Sequence, residues 1–394
     1  MKTLRTRPTD DAFVQDPYPF YDRVRAAGPF AFWAEYDMAV TARHALVGAI
    51  LRDRRFGREA PPDAVPPAPD HLRPFLDVER HSMLELEPPR HTRLRGLVVR
   101  AFTSRAVAAL SPQIEALSDR LIDAFPTDSF DLLDAYARPL PVIVIARLLG
   151  IPDDMADQLL AWSNDMVAMY QARRTRAVED RAVAATRAFV AFLRDEIARK
   201  RKRPADDLLS ALIAAEADGE RLTGDELVTT AILLLNAGHE ATVHTLGNGV
   251  KAVLEHRPPA AALAPEAIEN TVEEILRFDP PLHLFTRWVY EDLVLEGQSF
   301  RAGEKVGLLL GGANRDPAVW PAPDRFDPMR RPRQHLAFGA GIHFCVGAPL
   351  ARLELSVALS RLFARCPRLE LSAAPRYANL YHFHGLERLM VRVG

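Results

Sequence analysis

Apolar residues recur at spacings of three and four through the middle of the chain. The pattern covers residues 112–125, 140–149, 154–170, 174–200 and 224–255, and again 348–363, and this period predicts helices. Toward the two ends the period shortens. Residues 31–41 alternate aromatic and polar positions, 288–295 and 305–310 flank a turn-rich stretch at 297–303, and 389–393 reads as a last strand. The Pro-rich stretch 60–70 predicts an extended surface loop. A helix-rich body at about 92–278, with β-rich parts at about 30–44, 288–310 and 386–393, makes the expected fold mainly α with a minor β-sheet portion. The strands that must meet lie far apart in sequence, and no fixed-period repeat or low-complexity linker divides the chain, so one domain over 1–394 is expected.

Composition narrows the classes. Hydrophobic residues make up 48% and charged residues 26%, enough apolar material for a large core, which excludes general disorder. Fifty Lys+Arg against 52 Asp+Glu leave a net charge of -2, so no global field favours nucleic acid or an acidic membrane surface. No run approaches the roughly 20 apolar residues of a membrane span, and Arg147 and Asn236 interrupt the best ones. The N-terminal residues carry charge without the apolar core of a signal peptide. Two cysteines, Cys345 and Cys366, cannot build a disulfide framework and suit a reducing compartment, so a cytoplasmic protein is expected.

The densest chemical signal is Phe338-Gly339-Ala340-Gly341-Ile342-His343-Phe344-Cys345-Val346-Gly347, followed at once by the helical pattern at 348–363. Gly339 and Gly341 permit positive φ and close backbone approach, as a loop lying flat on a planar ligand needs. Cys345 falls at the mouth of a helix, where the dipole and free N–H groups favour thiolate, and Gly347 keeps the ligand side uncrowded. A dinucleotide fingerprint fails, because the third glycine of G-x-G-x-x-G would fall on Phe344. Cys366 lacks such surroundings and reads as packing. Upstream, Glu274-Ile-Leu-Arg277 places a carboxylate and a guanidinium on one helical face at i, i+3. His91 and Arg95 lie at i, i+4 after Glu87-Pro88-Pro89 and can point the same way.

These motifs, in this order, resemble the cytochrome P450 family from about Pro17 to Val393. The resemblance implies that haem b lies between the long central helix and the cysteine loop at 338–347. Cys345 is then the axial ligand of the haem iron, and its thiolate pushes electron density that favours O–O cleavage. It implies haem contacts from Phe338, Gly339, Gly347, Ala237 and Gly238, and propionate contacts from His91, Arg95, Arg287 and His343. Four donors for two carboxylates is a sensible charge balance. Arg93 and Arg100 read as solvated. Glu274, Arg277 and Arg325, the last from Pro323-Asp-Arg-Phe, are expected to form a buried structural triad.

Ala237-Gly238-His239-Glu240-Ala241-Thr242 corresponds to the family's oxygen-side stretch, whose small pair lets the helix open locally. Glu240 occupies the acid position, but Ala241 stands where the family has its proton-relay threonine. Thr242 is turned by about 100° from that position, and Thr245 shares its face about 6 Å further along. A substrate hydroxyl or ordered water, Thr242 itself, or peroxide-driven oxidation are the alternatives, with the first preferred. A zinc hydrolase with H-E-x-x-H fails by one residue, since His239 and His244 diverge by about 140°. A haem protein that only binds ligands is a further rival.

The resemblance implies insertion of one oxygen atom from O2 into a C–H bond of a medium-sized hydrophobic molecule. Electrons are expected from a separate ferredoxin or flavodoxin with its NAD(P)H reductase, because no flavin or nicotinamide motif is present. Arg330, Arg331 and Arg333, with Arg100 and Arg105, form a candidate docking surface for an acidic donor. The family's topology puts pocket walls at about 57–83, 162–174, 233–242, 282–285 and 380–384. Leu234, Ala237, Leu282, His283, Phe285, Tyr381, His382 and Phe383 are the candidate pocket residues, and the protein is expected to act as a monomer.

Overall fold

The chain's most apolar helical pattern becomes the 33-residue helix Gly224–His256. A capping box fixes its start: Glu226 N–H donates to Thr223 Oγ1 (3.2 Å), and Thr223 N–H donates back to Glu226 Oε2 (2.9 Å). In this computed structural model, which describes residues 1–394 apart from 65–66, 172–173, 218–219 and 332, that helix runs through the main hydrophobic core. Helices Pro139–Leu148, Ala156–Val167, Arg176–Lys202, Ile268–Phe278 and Ala348–Arg365 pack around it. The helices expected at 112–125, 140–149, 174–200 and 348–363 lie within two residues of Ser111–Asp123, Pro139–Leu148, Arg176–Lys202 and Ala348–Arg365. The pattern at 154–170 is one α-helix, Ala156–Val167, flanked by 3-10 turns.

The main sheet joins the two ends of the chain. Its order is Lys2–Leu4, Ala31–Trp33, Met38–Thr41, Lys305–Leu309, Leu284–Val289 and Phe56–Gly57. Val306 lies beside Ala39 in parallel register, and Lys305 opposes Trp288 in antiparallel register. The stretch 288–295 belongs to two sheets: it continues the main sheet to Val289, and Leu293–Leu295 then folds onto Gln298–Phe300 through Glu296 and Gly297, both at positive φ. Met390–Val393 pairs with Leu369–Leu371 and with Phe130–Asp131, a strand inside the helix-rich body that periodicity did not reveal. The Pro-rich stretch contains a 3-10 turn at Pro62–Ala64, while its residues 65–66 lie outside the described residues. Cys366 is buried in the core, as its surroundings in the sequence predicted.

The segment leading to the cysteine loop is held by one buried ion pair. Arg277 donates from Nε and Nη2 to both carboxylate oxygens of Glu274 (2.7 and 2.8 Å), and these side chains are 1% and 5% exposed. The same guanidinium donates to the carbonyls of Asn314, Pro323 and Arg325, and Glu274 Oε1 also accepts from Asp327 N–H (2.8 Å). The expected third member is corrected here. Arg325 offers only its carbonyl, because the turn that follows Ala322 sends its side chain outward, where it is 73% exposed. Arg330 takes the place instead, with Nε 3.5 Å from Glu274 Oε1.

Replacing Glu274 by Ala strands the Arg277 charge in the core and should lower the unfolding free energy by about 3–5 kcal/mol in urea titrations. Arg325→Ala should change it by no more than about 0.5 kcal/mol.

Candidate active site

The cysteine loop follows directly from that anchored segment. Gly339 and Gly341 sit at φ +69° and +71°. At Gly341 a Cβ would come within 2.2 Å of Leu51 O, so backbone packing also demands glycine there. Cys345 N–H donates to Phe338 O (3.0 Å) and closes the loop, and the helix Ala348–Arg365 then begins with Pro349 in its first turn. A Cβ at Gly347 would lie 3.8 Å from Cys345 Sγ, an ordinary contact. Cys345 keeps accessible surface, but inside a concavity, since burial still pushes its thiol up. The N–H groups of Gly347 and Ala348 and the charges of Arg95 and Arg352 pull in the opposite direction without prevailing. Arg95 is held beside the cysteine by donating to Phe344 O (2.6 Å).

A polar shelf adjoins the loop. His91 and Arg95 stand one turn apart on the helix Arg90–Ala101, and the rings of His91 and His343 lie 4.4 Å apart. His343 Nε2 donates to Glu87 Oε1 (3.0 Å), which also accepts from Arg58 N–H. Burial pushes the Glu87 carboxyl up, but these bonds and the charges of His343 and Arg287 hold it below the usual range. Burial, with the nearby His343 and Arg95, depresses His91 to about 4, and its Nδ1 is buried with no partner. Arg287 is 3% exposed, and no carboxylate lies within 4.0 Å of it among the described residues. Burial, followed by repulsion from Arg58, lowers its pKa to about 9. The shelf therefore contains buried cationic and donor groups that the protein leaves unmatched.

Across from these elements, Ala237 is exposed, although every other residue from 226 to 254 of the central helix is at least partly buried. Leu233 and Ala241 lie one turn to either side of it and are partly exposed, which gives the helix an open stripe of small and apolar residues.

The Cytochrome P450 family model matches residues 266–372. A cytochrome P450 monooxygenase, PikC, of Streptomyces venezuelae is 38% identical over 96% of this chain and 92% of its own. The vitamin D(3) 25-hydroxylase of Pseudonocardia autotrophica is 40% identical over 97% and 95%. The crystal structure of P450BioI in complex with hexadec-9Z-enoic acid ligated acyl carrier protein superposes with a TM-score of 0.91 at 33% identity, covering 97% of this chain and all of that one. The chain belongs to the cytochrome P450 family. It is a haem monooxygenase, which uses O2 and an electron donor. That sets aside the zinc hydrolase and the non-catalytic haem protein.

Within this P450 the central helix departs from expectation in four ways. It is α-helical throughout, with no local opening at Ala237-Gly238. Gly238 turns its bare face to Ile145, where a Cβ would sit 3.0 Å away, so it serves the crossing of two helices. Leu234 is 7% exposed and packs in the core, whereas Leu233 shares the open face with Ala237. Glu240 also lies differently from a free relay acid. Its Oε1 is 3.2 Å from His244 Nε2 and its Oε2 is 3.7 Å from His239 Nε2, so the two imidazoles that should diverge flank one carboxylate. The flexible glutamate side chain spans the angle between them. Thr242 Oγ1 donates to Gly238 O (3.4 Å) and Thr245 Oγ1 to Ala241 O (2.7 Å), so both hydroxyls are directed to the helix's own carbonyls.

The walls at 282–285 and 380–384 meet at a bridge between Leu282 and Phe383. Leu282, Phe285, His382 and Phe383 keep partial exposure there. His283 and Tyr381 do not: at 0% and 4% exposure they face the opposite way, into a cluster with Tyr18 and Tyr21. Burial, then Arg58, lowers His382 to about 4. The wall at 57–83 gives Glu59–Ala64 side chains to a cavity of about 870 Å³ shared with Glu87 and Tyr290. Residues 65–66 of that wall and 172–173 of the wall at 162–174 lie outside the described residues. Arg93, read as solvated, is ion-paired with Glu226. Arg330 is tied to Pro321 O, Ala322 O and Arg325 O. Sequence reasoning missed Glu87 as the partner of His343; its place four residues before His91 was the available signal.

Glu240 gives a pH prediction. Burial would raise its carboxyl, but the His244 hydrogen bond and the His244 and His239 charges hold it at about 2, against an ordinary 4.5. A depressed folded pKa stabilises the protein above the unfolded value, and that contribution fades as pH falls from 4.5 toward 2. The difference in urea midpoint between wild type and Glu240→Gln should therefore shrink as pH is lowered from about 6 to about 3.

Proposed function

We propose that this P450 binds haem b with Cys345 as axial ligand and hydroxylates a medium-sized hydrophobic molecule. The observation that carries the reading is the unmatched polar shelf. His91 Nδ1 is buried without a partner and Arg287 is buried without a carboxylate, beside the loop that holds Cys345. Two propionates are the complementary charge, with Arg95 and His343 as the remaining donors. Gly339 and Gly347 keep the loop low beneath a planar group, and Ala237 leaves room on the opposite side. Bound haem supplies iron for activating O2, and metal coordination deprotonates the thiol that burial otherwise keeps protonated.

The chain's own residues orient substrate and deliver protons. Glu240 holds a negative charge within reach of His244, so a proton can be exchanged between Glu240 Oε1 and His244 Nε2. Ala241 offers no hydroxyl, and those of Thr242 and Thr245 bond to backbone. A hydroxyl on the substrate, or an ordered water held by it, completes the relay. Peroxide-driven oxidation is the second reading, favoured by the same lack of a free alcohol. Leu233, Ala237, Leu282, Phe285, His382 and Phe383 offer mostly apolar surface with one neutral imidazole, which suits an apolar substrate with a polar handle. Two relatives' names, a vitamin D(3) 25-hydroxylase and P450BioI with hexadec-9Z-enoic acid ligated acyl carrier protein, support an apolar substrate.

Electrons come from a separate ferredoxin or flavodoxin with its NAD(P)H reductase in the cytoplasm, to a monomeric one-domain enzyme. Arg331, Arg333, Arg100 and Arg105 are exposed and offer the docking charge, whereas Arg330 is committed to the ion-paired anchor. No helix among the described residues is long and apolar enough to cross a membrane.

Cys345→His should abolish the thiolate-type Soret band of the reduced carbon monoxide complex while some haem is retained. With a compound that shifts the ferric protein to high spin, Glu240→Gln should lower turnover by about 10²–10⁴-fold. Thr242→Ala should leave product formed per electron within about twofold, and a larger loss would return Thr242 to the relay.

A further inference from the structure

Behind the bridge of Leu282 and Phe383 lies a buried cluster that the monooxygenase reading does not use. Asp279, His283 and His384 are 4%, 0% and 3% exposed. Asp279 Oδ1 is 3.5 Å from His384 Nε2 and 4.0 Å from His283 Nε2, and one ligand atom from each residue falls within 4.8 Å of the others. The surroundings fix these groups. Tyr18 Oη lies 3.0 Å from Asp279 Oδ1 and 2.9 Å from Phe278 O, with one proton to give to either, and Tyr377 Oη donates to Oδ2. Tyr21 Oη is 2.8 Å from His283 Nδ1, and the Tyr377 ring stacks on His384 at 3.7 Å.

Hydrogen bonds within the cluster do not complete it. With Nδ1 of His283 engaged by Tyr21, its Nε2 is left buried, without a partner and directed toward Asp279. In the tautomer with Nδ1 donating to Tyr21, Nε2 presents a lone pair to the carboxylate, which a cation between them relieves; in the other, Nε2–H faces Asp279 Oδ1 from 4.0 Å, too far for a hydrogen bond. The facing charges are Asp279, Asp16 and Asp324 against Arg315 and Lys251. Arg315 lies over the Tyr18 ring and 3.5 Å from Asp324, and Lys251 lies over the Tyr377 ring.

We propose that Asp279, His283 and His384 bind a zinc-class divalent cation. Two imidazoles and one carboxylate are a common zinc set, with bonds of about 2.0–2.2 Å, so ligand atoms stand about 3.3 Å apart in a tetrahedron. Two of the separations need to close by less than about 1 Å to reach that geometry. The fourth position falls to water or to the Tyr18 oxygen. Tyr21 on His283 Nδ1 is the outer partner that orients a ligating histidine. The cation would tie the helix Tyr18–Ala27, the end of Ile268–Phe278 and the segment 377–384 into one unit. It would thus brace the substrate-side bridge from behind while taking no part at the iron. The site is separate from His239 and His244, whose spacing fails the H-E-x-x-H zinc pattern.

The test uses the purified haem-loaded enzyme, equilibrated with zinc sulfate and then dialysed against chelator-treated buffer. Elemental analysis should give about one zinc per haem iron, and zinc K-edge spectra should show a nitrogen and oxygen shell at about 2.0 Å with two imidazoles. In Asp279→Asn and His384→Gln the zinc-to-iron ratio should fall at least about tenfold, with haem content and the reduced carbon monoxide spectrum unchanged. Intact haem spectra separate failure of this proposal from failure of the monooxygenase reading. Wild-type enzyme holding less than about 0.1 zinc per iron would overturn the proposal and leave a buried water as the occupant. Variants that keep their zinc, or a shell containing sulfur, would overturn it equally. Should the variants fail to fold, the wild-type ratio and edge spectrum decide alone.

Discussion

A carboxylate and a guanidinium cannot be taken out of water together unless nearly every lone pair and N–H finds a partner. The Glu274–Arg277 pair meets that condition by gathering backbone from far along the chain. Carbonyls of Asn314, Pro323 and Arg325 and the N–H of Asp327 converge on it, and Arg330 comes in alongside. The segment between the sheet and the cysteine loop has almost no regular structure to hold it. Its path is set by these bonds, and the position of residues 338–347 follows from that path. The pair is thus worth more as a geometric constraint than as net stability.

Downstream of that constraint, the site is organised by charge left unmatched. Arg287 is buried with a backbone carbonyl but no carboxylate beside it, and His91 Nδ1 is buried with no partner, while Glu87 is engaged by His343 and Arg58. Such an arrangement is unfavourable for the protein by itself and favourable for a dianionic ligand. The cysteine follows the same logic. Burial opposes its thiolate, and the converging N–H groups and Arg95 lessen that cost without cancelling it.

On the central helix most polar groups near the open stripe are engaged by the helix itself, with His239 Nε2 and Asn236 Oδ1 buried and unbonded. His239 Nδ1 donates to Leu235 O, His244 meets Glu240, and two threonines bond to preceding carbonyls. The stripe at Leu233, Ala237 and Ala241 is therefore apolar and chemically quiet. Whatever polar function the reaction needs there must come from Glu240, from water or from the substrate. On the far side of the bridge of Leu282 and Phe383 lies a dense array of tyrosines, imidazoles and Asp279, so the same two loops present apolar surface on one side and polar groups on the other.

Much of this was legible in the amino-acid sequence because it is encoded locally. A helical period of three and four gave nearly correct bounds for the helices, and the spacing of glycines, His343 and Cys345 specified a loop conformation within ten residues. Glu274 and Arg277 pair through one helical turn, so their contact needed no tertiary information. Tertiary structure decided whatever depends on where a side chain faces after distant segments meet. Arg325 and Arg330 are equally basic in sequence, yet a turn sends one outward and the other toward Glu274. His283 and Tyr381 look like pocket residues beside their apolar neighbours, but pairing of 282 with 383 turns them to the back. Asp279, Tyr18, Tyr377 and His384 come from parts of the chain separated by up to hundreds of residues, and no local spacing records that they share one buried site. Periodicity fixes which face of an element is apolar; only packing fixes what that face meets.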